Sequence, residues 1–240
     1  MKGLGTVISV ELRLAVRDPM SAFFALAFPA VILWMKMRNG GTLPGGLPLI
    51  EAYVPMLSVF VIGLATLVVL PATLAQYRER RVLKRLSATP ASPAMVFGAQ
   101  WVAHLLLAVL GSVVLAVLGL VAYGMSGPVD PAAVVLAWLL GALCLGSIGL
   151  LVGALAPGGR AATVVGLAVF FPMVFVSGAM SARETLPAQM RAIGEWTPMA
   201  PVVQAVRAGW EGQGLPPVAV AVMVAIFLVA GGAAVKAYRW

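Results

Sequence analysis

Few residues in this chain could do acid–base, nucleophilic or metal chemistry. One histidine and one cysteine occur in 240 residues, with eight acids against 16 bases. Both His104 and Cys144 lie inside long apolar runs. A lone cysteine can form no internal disulfide, and no metal-ligand spacing surrounds it. Cys144 therefore reads as a small buried apolar residue. His104 is an ionisable group at membrane depth, which makes it a site candidate by default. Its place two turns from one end of its run favours an interfacial or packing role instead. No paired catalytic cluster is visible, which argues against an intramembrane enzyme. No GxxxxGK[ST] phosphate loop occurs either, so the chain has no visible means of using ATP.

What stands out instead is charge. Residues 77–93 read YRERRVLKRLSATPASP, and five of the eight positions from Arg78 to Arg85 are basic. Only 10% of the chain is charged and 62% is hydrophobic, whereas a soluble domain carries about 25% charged residues. Burying five bases at the centre of a bilayer would cost about 12–17 kcal/mol, at about 2.5–3.5 each, so this segment lies outside the lipid. It also has helical order. Glu79, Val82, Leu83 and Leu86 share a face, with Arg80, Arg81, Lys84 and Arg85 spread over the rest. Thr89-Pro90 stops the helix, because the residue before proline avoids helical geometry. Ser92 then caps a new helix with Pro93 at its first position. An anchor on anionic lipid needs only loose charge. An apolar face, a hard stop and a restart suit docking on a protein surface.

The elements that must position this segment are membrane spans. Crossing a bilayer takes about 20 apolar residues, and the chain supplies six candidate runs: roughly Met20–Met35, Ala52–Ala75, Val96–Tyr123, Ala132–Leu155, Ala162–Met180 and Val218–Tyr238. The expected architecture is an all-α integral membrane protein, a single transmembrane domain over 1–240. Residues 1–18 read as an amphipathic helix lying in the interface, and no cleavable signal peptide is evident. Residues 181–217 read as two short helices outside the bilayer centre, split by Pro198 and Pro201, which could dip into the membrane if packed on protein. Pro55 and Pro71 are expected near the two ends of the second span, where lost backbone bonds matter least. Gly146, Gly149 and Gly153 line the fourth span, the last two in GxxxG spacing. Close helix packing is the ordinary explanation, with a dimer interface as the alternative. Glu51, Arg183 and Glu184 read as a solvated outer surface.

Six spans put both termini on one side. With the termini inside, eleven of the 16 bases face the cytoplasm with three acids, and five bases with five acids face out. This is the positive-inside arrangement. It makes residues 77–93 a cytoplasmic loop between the second and third spans.

That loop resembles the cytoplasmic coupling segment of ABC-2 type permeases, the membrane subunits of a class of ATP-driven exporters. The family typically shows an arginine-glutamate-arginine stretch, then leucines, then a small-residue, threonine-proline element. Here these are Arg78-Glu79-Arg80, Leu83, Leu86 and Ala88-Thr89-Pro90. LLVGALAPGGRAA (150–162), VSGAM (176–180), Leu186-Pro187, Thr197-Pro198 and Arg207 are similar to the family's later signature. The resemblance covers nearly the whole chain. It implies that Arg78, Glu79, Arg80, Arg81, Leu83, Lys84, Leu86, Thr89 and Pro90 form the contact to a separate ABC ATPase, which would hold the ATP and Mg. It further implies a second permease chain (as a homo- or heterodimer), a bacterial-type inner membrane and export powered by ATPase closure against the loop. The family often has Gly-Thr where this chain has Arg81-Val82, and an acid where it has Lys84, which suggests a partner groove more acidic than usual. The mostly apolar spans favour a hydrophobic or amphipathic cargo such as a drug, antibiotic or lipid-like molecule. No nucleic-acid partner is expected. The alternatives are an ion-coupled secondary carrier, whose inverted repeats and buried charges are not evident, and a permease for a lipid-linked glycan.

Overall fold

A computed structural model describes residues 23–38, 40–43, 46–80 and 93–237. The expected amphipathic helix at 1–18 lies outside these residues. So does the part of the basic segment that carries Arg81, Leu83, Lys84, Leu86, Thr89 and Pro90.

The described chain is helical, with a single isolated bridge between Thr42 and Pro48. A π-helical turn, Phe23–Ala27, leads into α1 (Phe28–Met37). Then come α2 (Leu49–Leu64), a second π-helical turn (Ala65–Val69) and α3 (Leu70–Glu79), which form one continuous 31-residue span. It continues with α4 (Pro93–Tyr123), α5 (Pro131–Leu155), α6 (Gly159–Ser177), α7 (Ala188–Glu195), α8 (Ala200–Trp210) and α9 (Pro217–Ala237). Among the described residues, five helices are long and apolar enough to cross a membrane: α2 through α3, α4, α5, α6 and α9. The shorter apolar helix Ala25–Met37 occupies the place of the expected first span.

The α2–α3 span is the axle of the bundle. Every residue from Ala52 to Val68 is buried, whichever face it occupies, which is the pattern of a helix enclosed on all sides. Phe60 stacks edge-on against Phe170 of α6, with centroids 5.2 Å apart. Helices α4, α5 and α6 pack against this axle, while α9 packs on α5 and α8. On their outer faces they leave apolar side chains exposed: Val113 and Val121 on α4, Val164 on α6, Leu228 and Val229 on α9. Exposed apolar rows on spanning helices are what a lipid environment allows.

Local signals fix several boundaries. Asp130 caps α5 by accepting the Ala133 N–H at 2.9 Å, with Pro131 at the first helical position. Gly178, at φ +92°, ends α6 in the left-handed conformation. The second span runs to Glu79 rather than Ala75, so Pro71 is an interior residue and not a terminal one. Its missing N–H falls just after the π-helical turn. There the carbonyls of Thr66 and Leu67 lie against the α-carbons of Gly149 on α5 and Gly166 on α6. The proline and the altered register coincide, as interior prolines and π-turns do where helices bend.

The short helices behave differently from each other. Val202, Val203 and Val206 of α8 are fully buried between α2, α5 and α9, and Val202 fits over Gly141 of α5. In α7, by contrast, Met190 and Ile193 are exposed.

Candidate coupling site

The site is built where α3 ends beside the turn joining α5 to α6. That turn is only Ala156, Pro157 and Gly158. Three alanines, Ala75, Ala156 and Ala162, form a small buried cluster there, and such short side chains let the backbones approach closely. Gly159 is packed against α3 as well: a Cβ on it would lie 3.1 Å from Cβ of Gln76 and 3.3 Å from the Ala72 carbonyl oxygen.

Two adjacent charged residues then close the gap. Arg78 donates from Nη1 to the carbonyl of Ala154 at 2.5 Å and from Nη2 to the carbonyl of Ala156. Glu79 accepts the N–H of Gly159 at Oε2, 3.1 Å away. The pairing follows helix electrostatics. The C-terminal carbonyls of α5 have no intrahelical donors and carry partial negative charge, while the first N–H groups of α6 carry partial positive charge. The guanidinium sits on the former and the carboxylate on the latter, and bonds to ionised groups are the stronger kind. Arg78 is half-buried, whereas Glu79 and Arg80 are exposed.

Upstream, the glycines of α5 continue the contact. A Cβ on Gly153 would lie 3.2 Å from Cα of Pro71, and one on Gly149 would overlap the Thr66 carbonyl oxygen. Gly146 turns to another neighbour: its Cβ would lie 2.6 Å from the indole nitrogen of Trp101 on α4. All three thus face helices of their own chain.

His104 is buried, with Nδ1 2.8 Å from the Gln100 carbonyl oxygen. It lines a small apolar void with Ala25, Val61, Leu64 and Leu107. Cys144 is buried and free. Among the described residues, no group of three His, Cys, Asp or Glu side chains could hold a metal ion.

The opposite end of the bundle carries polar contacts that sequence reasoning missed. Glu51 is half-buried rather than merely solvated. Its carboxylate accepts the Ser126 N–H at 2.6 Å and the Trp210 indole N–H at 3.1 Å, so it joins the start of α2 to the α4–α5 loop and to α8. Arg207 bridges Glu184 at 2.9 Å and Glu211 at 3.1 Å, and Arg183 pairs with Glu195 at 2.8 Å. Partial burial raises the Glu184 carboxyl. Its backbone hydrogen bond, its bond to Arg207 and the charges of Arg207 and Arg183 outweigh that and hold it below the ordinary range. The i,i+4 spacing of Arg207 and Glu211 was a readable signal; the other pairs span loops and left none.

A search of curated proteins returned no match. The family model described as ABC-2 type transporter matches residues 3–210, a range that takes in the second span, the basic segment, the α5–α6 turn and both short helices. The match, with five membrane-length helices, describes a multi-pass membrane protein that serves transport rather than catalysis, a permease subunit of an ABC transporter. The chain belongs to the ABC-2 type transporter family.

Proposed function

We propose that this chain is the membrane half of an ABC exporter that moves a hydrophobic or amphipathic molecule, such as a drug, an antibiotic or a lipid-like compound, out of the cell. Hydrolysis takes place on separate ABC ATPase subunits, which hold the ATP and Mg. Two permease chains together enclose the path, in an inner membrane with both termini in the cytoplasm. The observation that carries the reading is the position of the basic segment. Its first residues stand at the end of the central span, beside the α5–α6 turn, where Arg78 bonds the carbonyls of Ala154 and Ala156 and Glu79 accepts the Gly159 N–H. A push on the segment therefore acts on the central span and on the turn together.

Isolation of the tagged chain from its native membranes tests this. The expected result is co-purification of a protein with a phosphate loop, whose ATP hydrolysis in lipid nanodiscs differs from that of the ATPase alone. An unchanged hydrolysis rate overturns the reading. Uptake into ATP-free proteoliposomes driven by an ion gradient would favour a secondary carrier instead.

A further inference from the structure

We propose that Arg78 and Glu79 are positioning residues that fasten the base of the basic segment to the α5–α6 turn, so that segment and turn move as one body when an ATPase pushes on them. This rests on the permease reading above. It differs from a role in which the Glu79 charge itself docks in the ATPase.

Three observations carry it. Neighbouring residues on a helix project about 100° apart, so Arg78 and Glu79 straddle the turn, one reaching the end of α5 and the other the start of α6. Each charge meets the helix end of opposite sign, so both contacts stabilise the same arrangement. Beneath them, Ala75 with Ala156 and Ala162, Gln76 with Gly159, and Pro71 with Gly153 bring α3 within touching distance of α5 and α6. Well-packed surfaces of this kind shift between discrete arrangements rather than deform, so α3 has little freedom to pivot away alone.

Glu79→Gln separates the two roles, because a glutamine oxygen still accepts from the Gly159 N–H but carries no charge. The measurement is ATP hydrolysis by the co-isolated complex in nanodiscs, relative to the ATPase alone. Glu79→Gln should keep the permease-dependent rate within about threefold of the parent, while Glu79→Lys, which can no longer accept, should lower it by about tenfold or more. A second variant removes the contact and then replaces it. Gly158 has an extended backbone at φ −168° and its nearest neighbour is the flexible Glu79 carboxylate, so Glu79→Cys with Gly158→Cys can be built there, with Cys144 buried out of reach. The reduced pair should show the low rate, and joining it with a short bis-methanethiosulfonate bridge should restore the parent's. The proposal is overturned if Glu79→Gln falls as far as Glu79→Lys, or if the bridged pair stays at or below the reduced rate. A parent chain that leaves hydrolysis unchanged would show that the permease reading itself is wrong.

Discussion

Single residues here act mainly by being small or by reaching far. Gly149 is the clearest small one. Alanine there would drive its Cβ into the Thr66 carbonyl, an overpacking that costs about 1–3 kcal/mol. Gly149→Ala should therefore lower the thermal unfolding midpoint in nanodiscs. Gly98→Ala, where nothing lies within 4 Å, should leave it unchanged or raise it, since alanine favours a helix over glycine by about 1 kcal/mol. The glycine spacing was legible in the sequence, because a small-residue row is a local pattern. The partners of Arg78 and Glu51 were not. Arg78 meets a carbonyl 76 positions away, and Glu51 meets Trp210 159 positions away. Charge alone gives no hint of a backbone partner at that range, so Glu51 read as a solvated acid.

At the scale of elements, run length located the membrane helices because burying a helix in lipid demands an uninterrupted apolar stretch. The turn at Ala65–Val69 was less legible. Pro71 read as a residue near the end of its span, and the widened register depends on where the carbonyls before it go, which is against glycines on α5 and α6. Ion pairs tie Arg183 to α7 and Glu184 to α8, and this makes the link between these short elements sensitive to acid. Glu184 has its carboxyl held below the ordinary value of about 4.3 for a glutamate. Its contribution to stability is then fully present above that value and is lost as pH falls through the lower folded one. The unfolding midpoint should drop across this acidic window, and Glu184→Gln should flatten that part of the profile. An equally steep profile in Glu184→Gln would mean that other carboxylates carry the dependence.

For the whole molecule, charge asymmetry is the strongest organising fact. Arg78 and Arg80 stand at one end of the bundle, beside the α5–α6 turn, while the ion pairs of Arg183 and Arg207 lie at the other. On the proposed orientation, with the basic end in the cytoplasm, a cysteine at Arg80 should react with an impermeant maleimide only in inside-out vesicles. One at Arg191 should react only in intact cells or spheroplasts. The reverse pattern would invert the orientation.

Along its π-helical turn and α3, the contact of the central span with α5 and α6 is made largely of backbone and glycine. Side chains that freeze on docking lose rotamer freedom, and that loss grows with temperature. Glycine has none to lose. A bearing of this kind should stay equally tight in a cold cell and a warm one, because little in it can melt except the helices themselves.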